Sequence, residues 1–206
     1  MKRTLLFLSL LVSTAFGRDQ DVRVPAEDLL KQDPLCLTAS GRVAISFEKT
    51  CAILVRDDLL AAIQRSYAAG LPEGNPPEFT VQQTAPGMYH YVNRLGQETM
   101  IEEVSVELNA GKKITLALYS EGRRFFGNYQ SLCQVEVVPF GPDQVAYNVT
   151  VYARPESAAA RFFSRVTPVK TYFRHKMKEM TGLVVEVCDR IPTDESKGEN
   201  HVVASF

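Results

Sequence analysis

The sequence of 206 residues has few of the features that assign a reaction to a chain. It contains only three histidines, His90, His175 and His201, which are widely separated along the chain. No GxSxG, HExxH or phosphate-binding glycine motif is present. The sequence therefore predicts no metal site and no cofactor, and it favours a protein that is not an enzyme.

Charge and hydrophobicity are also unremarkable in their overall balance. The formal net charge is −1, which indicates neither a nucleic-acid partner nor an acidic membrane surface. The hydrophobic fraction of 45% is ordinary for a globular core, and the length fits one domain with tails. After residue 17 no apolar run approaches the roughly 20 residues that span a bilayer.

The one strongly apolar run lies at the N-terminus. Lys2 and Arg3 precede the apolar residues 4–12, and Ala15 and Gly17 are small residues at the two positions that a signal peptidase reads. We predict a signal peptide over residues 1–17, cleaved after Gly17, and therefore a secreted or periplasmic protein. An uncleaved N-terminal anchor is the alternative.

Cysteine is scarce, and no CxxC pair occurs, which argues against a zinc or redox site. An exported chain could form disulfides among Cys36, Cys51, Cys133 and Cys188. Three pairings are open, and the sequence does not choose among them. Cys133 lies on the apolar side of a predicted strand, so we expect it to be a buried thiol.

Alternation of apolar and polar residues predicts an antiparallel sheet of about six to seven strands, with one covered face. The first strand is expected over Val43–Val55, and the others follow from Phe79 onward. Turns are expected at Gly96-Gln97 and Glu121-Gly122, among others. On the later strands the predicted covered face carries Tyr129, Cys133, Val135, Val137, Val145, Tyr147, Val149 and Val151, and on an earlier strand Met100, Val104, Val106 and Leu108.

A long amphipathic helix is predicted over Thr167–Cys188. Thr167 is a good N-cap, Pro168 fits the first helical position, and apolar residues recur at three- and four-residue spacing. Gly182 favours a kink or an end near Thr181. Shorter helices are expected over 57–69 and 156–165. The remaining divisions are an N-terminal segment (18–42) with at most one helical turn over 26–31, a domain over 43–190, and a flexible tail (191–206).

This element order resembles the helix-grip fold of the START/Bet v 1-like superfamily, also called the SRPBCC or polyketide cyclase-like class. The resemblance covers about Val43 to Cys188. It rests on VAISFEKTCAILVRDDLLAAI, on YSEGRRFFGNYQSLCQVEVVPFG and on the closing helix. It implies an α+β fold in which a curved antiparallel sheet wraps around the C-terminal helix and leaves a cavity. It further implies a protein that holds lipids, sterols or aromatic natural products, although some members catalyse cyclisation or hydrolysis.

Eight residues are candidates for ligand binding. Four cluster near a predicted turn, where a guanidinium beside aromatic rings would suit an amphiphile with an acidic head: Tyr119, Arg123, Phe125 and Tyr129. Four others could line the space between sheet and helix: Tyr147, Phe173, Met177 and Met180. The predicted partner is a hydrophobic or amphipathic small molecule, and contact of the long helix with a membrane is left open.

Two alternatives remain at this point. One is an enzyme of the cyclase or hydrolase type that uses Tyr89, His90 or Arg123 as polar catalysts. The other is a structural or partner-binding protein of the cell envelope, in which the same apolar residues fill a solid core.

Overall fold

The computed structural model describes residues 23–124, 127–164 and 167–192. The predicted signal peptide and nearly all of the predicted tail lie outside these ranges. The helices are α1 (Arg23–Lys31), α2 (Phe47–Leu54), α3 (Leu59–Ala69), α4 (Ala158–Ser164) and α5 (Thr167–Asp189). The strands are β1 (Leu35–Val43), β2 (Phe79–Ala85), β3 (Met88–Asn93), β4 (Glu98–Asn109), β5 (Lys113–Arg124), β6 (Gly127–Pro139) and β7 (Val145–Pro155).

All seven strands form one antiparallel sheet in the order β1-β7-β6-β5-β4-β3-β2. Strands β2 to β7 are joined in chain order, so each pairs with the next. Strand β1 pairs with β7, from Leu35 opposite Ala153 to Val43 opposite Val145. Helices α2 and α3 connect β1 to β2 across the sheet. The predicted α+β class, with an antiparallel sheet and a long C-terminal helix, is confirmed.

The two faces of the sheet carry different helices. On β5, Ile114 and Leu116 pack with α2, α3 and the C-terminal end of α5, and this side is called the inner face. Ala117 and Tyr119 point the opposite way and pack against α1, on what is called the outer face. Because side chains alternate along a strand, the pairing register assigns the other strand residues to one face or the other.

Helix α1 corrects the expectation that residues 18–42 hold at most one helical turn. It covers Arg23–Lys31 and buries Ala26 and Leu29 against the outer face. Leu29 has no exposed surface. The outer face is therefore partly covered and not wet throughout, and the short α1 is stabilised by packing, since its isolated sequence would be marginal.

The predicted strand over Val43–Val55 was wrong. Strand β1 ends at Val43, the residue where the predicted strand was expected to begin. Phe47–Leu54 forms helix α2. The Ser46 hydroxyl accepts a hydrogen bond from the Lys49 backbone N–H at 3.2 Å and caps this helix. Phe47, Cys51 and Leu54 recur at helical spacing, and this signal competes with the short alternation that precedes it.

The predicted turn at Glu121-Gly122 was also wrong, because β5 continues through Arg124. Gly122 serves a different purpose. A Cβ atom at this position would lie 2.5 Å from the Glu98 carbonyl oxygen and 2.7 Å from the Thr99 Cα. The glycine therefore allows β4 to approach β5 closely and does not end the strand.

Strand β4 contains an irregularity that the alternation pattern did not reveal. Its register with β5 shifts between Glu103 and Ser105. Val106 therefore faces inward, whereas Met100 faces outward with Glu121 as its partner, and Val104 packs on the outer face. A bulge of one residue reverses the side on which every later side chain lies, so the expected common face of this strand was wrong.

Helix α5 is confirmed, and it runs past Thr181 to Asp189 without a break. The Thr181 hydroxyl donates to the Met177 carbonyl at 2.8 Å. Met177, Thr181, Val185 and Cys188 are half-buried at three- and four-residue spacing, and Cys188 packs on the inner core. This stripe is the side of α5 that faces the sheet. No helix in the described part of the chain has the length and apolar content needed to cross a membrane.

Candidate functional site

The inner face is packed most closely at one end. There Ile114, Leu116, Val137 and Val145 are buried beneath α2, α3 and the last turn of α5. Further along the same face Leu37, Tyr89 and Thr99 are buried, but several other inward side chains are only half-buried. They are Ile101, Leu118, Ser120, Tyr129, Ser131, Cys133, Val151 and Ala153. The inner face thus changes from a close-packed core to a surface with accessible area.

Cys133 shows what kind of surface this is. It lies between Leu118 of β5 and Val151 of β7 on the inner face. Burial raises the pKa of its thiol to about 11, because the charged thiolate is poorly solvated there. Its side chain nevertheless keeps accessible area. The half-buried part of the inner face around Leu118, Cys133 and Val151 is called the wall.

The polar groups on this wall are mainly hydroxyls that pair across strands. Ser120 Oγ and Ser131 Oγ are 2.7 Å apart. Thr99 Oγ1 and the Tyr129 hydroxyl are 3.1 Å apart. Sequence analysis missed the serine pair, although its signal is visible: each serine falls at an inward position of an otherwise apolar strand.

A further hydroxyl lies on the inner face at β3. Tyr89 is fully buried on the inner face, and its hydroxyl donates to the Asp57 carbonyl at 3.0 Å. Desolvation raises the pKa of this phenol. Glu103 lies nearby on β4, opposite Leu118, and one of its carboxylate oxygens is buried. The inner face therefore carries one acidic group beside its hydroxyls.

Three of the eight predicted site residues lie on this side of the molecule. Tyr129 and Tyr147 face inward from β6 and β7, and Met177 lies on the half-buried stripe of α5. The Tyr147 ring lies across Gly41 of β1, where a Cβ would be 2.5 Å from its hydroxyl oxygen. Their role in binding stays a prediction.

Two other predicted residues lie elsewhere. Tyr119 is buried on the outer face beneath α1, and its hydroxyl donates to Glu121 at 3.4 Å. Desolvation and the Glu121 charge raise the pKa of Tyr119 to about 12. Arg123 also faces outward and is exposed. Phe125, and the side chains of Phe173 and Met180, lie outside the described residues.

A cleft of about 420 Å³ is lined mainly by outward-facing residues of β3 to β6, and also by Thr99 and Tyr129. His90, half-buried, faces Glu98 across 3.4 Å at its edge, and Arg123 also lines it. Tyr89 faces the opposite side of the sheet. The three polar catalysts considered for an enzyme therefore do not converge on one space.

A second cleft of about 520 Å³ lies between α3 and the C-terminal end of α5. It is lined by three arginines, all of which have acidic partners. Arg56 and Arg65 bind Asp58 at 2.9 and 2.5 Å, and their hydrogen bonds and charges lower its pKa. Arg190 pairs with Glu186 one turn earlier in sequence. The cleft is thus a set of ion pairs with little net charge.

All four cysteines carry free thiols. Cys36 is exposed on the outer side of β1, whereas Cys51, Cys133 and Cys188 are half-buried on the inner side. Burial raises the pKa of each of these three thiols to about 11. Within the described ranges, no group of three or more His, Cys, Asp or Glu side chains is placed to hold a metal ion.

Comparison with known proteins places this architecture. No family model and no curated protein matches the sequence. Among solved structures, a hypothetical protein from Helicobacter pylori matches with a TM-score of 0.51 at 15% identity, over 84% of this chain and 99% of that one. A conserved protein from Geobacillus kaustophilus matches with a TM-score of 0.51 at 10% identity, over 75% and 95%. Norcoclaurine synthase from Thalictrum flavum gives a TM-score of 0.48 at 13% identity, over 92% and 99%.

The fold is START/Bet v 1-like. The resemblance predicted from the element order is confirmed at this level. Identities this low show a fold and not an activity. The function of this chain depends on the residues of its own inner face.

Proposed function

We propose that this protein is an exported carrier that holds a hydrophobic or amphipathic small molecule between the inner face and α5. The observation that supports it is that the wall around Leu118, Cys133 and Val151 keeps accessible area, although it lies on central strands of the sheet. An apolar wall with a few hydroxyls is the usual composition of a small-molecule site. A close-packed core would leave no such accessible area, since protein interiors contain few voids larger than a water molecule.

Export is supported by the N-terminal sequence alone. Lys2 and Arg3, the apolar residues 4–12 and the small residues before Arg18 are typical of a cleaved secretory signal. Expression of the full chain in a secreting host, followed by N-terminal sequencing of the exported protein, should give Arg18 as the first residue. An exported or membrane-bound product that retains Met1 would overturn this part of the proposal.

Ligand binding can be tested by placing a large side chain between the inner face and α5. Val151 lies on the wall beside Cys133, and Asn148 lies on the same strand but faces outward and is exposed. We expect Val151→Trp to weaken binding of the neutral dye Nile red by at least about tenfold, because the indole occupies the space. Asn148→Trp should bind the dye as the wild type does. Circular dichroism should show that both variants are folded.

Two results would contradict the carrier. The first is a wild-type protein that does not bind the dye. The second is equal loss of binding in Val151→Trp and Asn148→Trp, which would place the dye on the surface.

A further inference from the structure

Strand β2 (Phe79–Ala85) forms one end of the sheet, and β3 pairs with one of its two edges. In the part of the chain that the structure describes, no strand pairs with the other edge of β2. The opposite end of the sheet differs, because α5 contacts β1 there. The outer edge of β2 therefore presents backbone N–H and C=O groups to which another strand can bind.

The hydrogen bonds between β2 and β3 identify these backbone groups. The Arg94 backbone N–H donates to the Glu78 carbonyl at 3.1 Å, and the two residues lie opposite each other when the β2–β3 register is extended. In an antiparallel pair, every second residue bonds to the neighbouring strand, so the even-numbered residues of β2 bond to β3. The backbone N–H and C=O groups of Val81 and Gln83 therefore point to the outer edge.

Two glutamine side chains hold β2 in place from the inner side. Gln64 of α3 donates to the Phe79 carbonyl at 3.1 Å. The Gln83 side chain donates to the Asp57 carbonyl at 2.6 Å. The Phe79 ring also stacks on Tyr67 of α3, with the ring centroids 5.1 Å apart. The edge is thus ordered before any partner binds, which lowers the entropic cost of binding.

The composition of β2 favours pairing with a second copy of itself. None of its residues is charged and none is a proline, although a charge or a proline usually protects an exposed edge. In an antiparallel pair centred on Gln82, Val81 of each copy lies opposite Gln83 of the other. Their backbone groups would then form about four hydrogen bonds, and no like charges would face each other.

We propose that β2 is an interface between two copies of this chain, which join their sheets by antiparallel pairing with Gln82 of each copy on the two-fold axis. The regular part of the edge ends at Gln83, where the register with β3 shifts. Because only about five residues of each strand pair, the dimer is weak and forms at high concentration. This interface is independent of the carrier function, since β2 and the wall around Cys133 lie on different parts of the sheet.

Sedimentation equilibrium tests the interface. The apparent mass of the wild type should rise from that of one chain at about 10 µM toward that of two chains at about 1 mM. Gln82 is exposed and faces outward, so Gln82→Lys places two like charges opposite each other and should keep the protein monomeric. Asn148→Lys makes the same change of charge at an exposed, outward position of the interior strand β7, and it should dimerise as the wild type does.

Mixing two variants gives a second readout. Gln82→Glu should also be monomeric by itself, but an equimolar mixture with Gln82→Lys should restore the dimer, because opposite charges then meet on the axis. A folded wild type that stays monomeric at about 1 mM would overturn the proposal. Dimerisation of Gln82→Lys at the wild-type concentration, or a mixture that does not associate, would also overturn it, because β2 would then not be the contact.

Discussion

At the scale of single residues, Gly122 and Gly182 have opposite surroundings. A Cβ at Gly122 would collide with the backbone of β4, at 2.5 Å from the Glu98 carbonyl oxygen. A Cβ at Gly182 would have no neighbour within 4 Å, and this glycine lies inside α5. Backbone atoms in a sheet cannot move aside as a flexible side chain can, so only the first position requires glycine.

We therefore expect Gly122→Ala to destabilise the protein by about 2–3 kcal/mol through overpacking. Gly182→Ala should stabilise it by up to about 1 kcal/mol, because alanine favours the helix. Urea denaturation followed by circular dichroism measures both. Equal stability of Gly122→Ala and the wild type would show that β4 and β5 are not as close at this point.

The thiols give a second prediction at this scale. A pKa of about 11 leaves roughly one thiol in a thousand ionised at pH 8, and the thiolate is the reactive form. We expect Ellman's reagent to modify one thiol rapidly in the folded protein, the exposed Cys36, and four in denaturant. The slow thiols should react faster as the pH rises toward 11.

Cys36→Ser is the control for the labelling experiment, and it should abolish the rapid phase. Fewer than four reactive thiols in denaturant would reveal a disulfide and contradict the free cysteines. A rapid reaction at Cys133 at pH 8 would contradict its enclosed position.

At the scale of elements, α1 joins the outer face to the N-terminal part of the chain. Leu29 is fully buried against Tyr119 and Leu132, whereas its neighbour Leu30 is 41% exposed. A surface helix that buries one leucine completely is part of the fold and not a loose segment. It also explains why Tyr119 is sheltered from solvent.

Leu29→Ala should destabilise the protein by about 2–4 kcal/mol, the usual effect of a large-to-small substitution in a core. Leu30→Ala is the matched control and should change stability by less than about 0.5 kcal/mol. Thermal and urea unfolding measure the difference. Similar small effects for both variants would mean that α1 contributes little to the folded state.

The elements differ in how far the sequence predicts them. The later strands and α5 are predictable because their alternation or helical spacing extends over many residues. Helices α1 and α2 are short, and α1 depends on contacts with residues that are distant in sequence, such as Leu132. The bulge of β4 has no local signal, and it reverses the side on which Val106 lies.

At the scale of the whole molecule, the sheet separates two sets of predicted site residues. The sequence placed Tyr119, Arg123 and Tyr129 near one hairpin, and proximity along the chain is preserved. The face on which a strand side chain lies alternates from one residue to the next. Tyr129 therefore faces inward, while Tyr119 and Arg123 face outward. Because a turn was predicted at Glu121-Gly122, the alternation was not followed through to Arg123. Tyr147, by contrast, was correctly placed because its alternation with β7 neighbours is unbroken.

The same separation bears on mechanism. His90 and Arg123 line the 420 Å³ cleft together with Thr99 and Tyr129, whereas Tyr89 is buried on the inner face. The wall on the inner face is mainly apolar.

The most direct test of the carrier is native mass spectrometry of the exported protein, purified without detergent. The account predicts a species heavier than the chain by one small molecule, which is released on denaturation and is largely absent from Val151→Trp. A contradictory result would be a bare chain, both as purified and after incubation with a total lipid extract, at a protein concentration where the fold is intact.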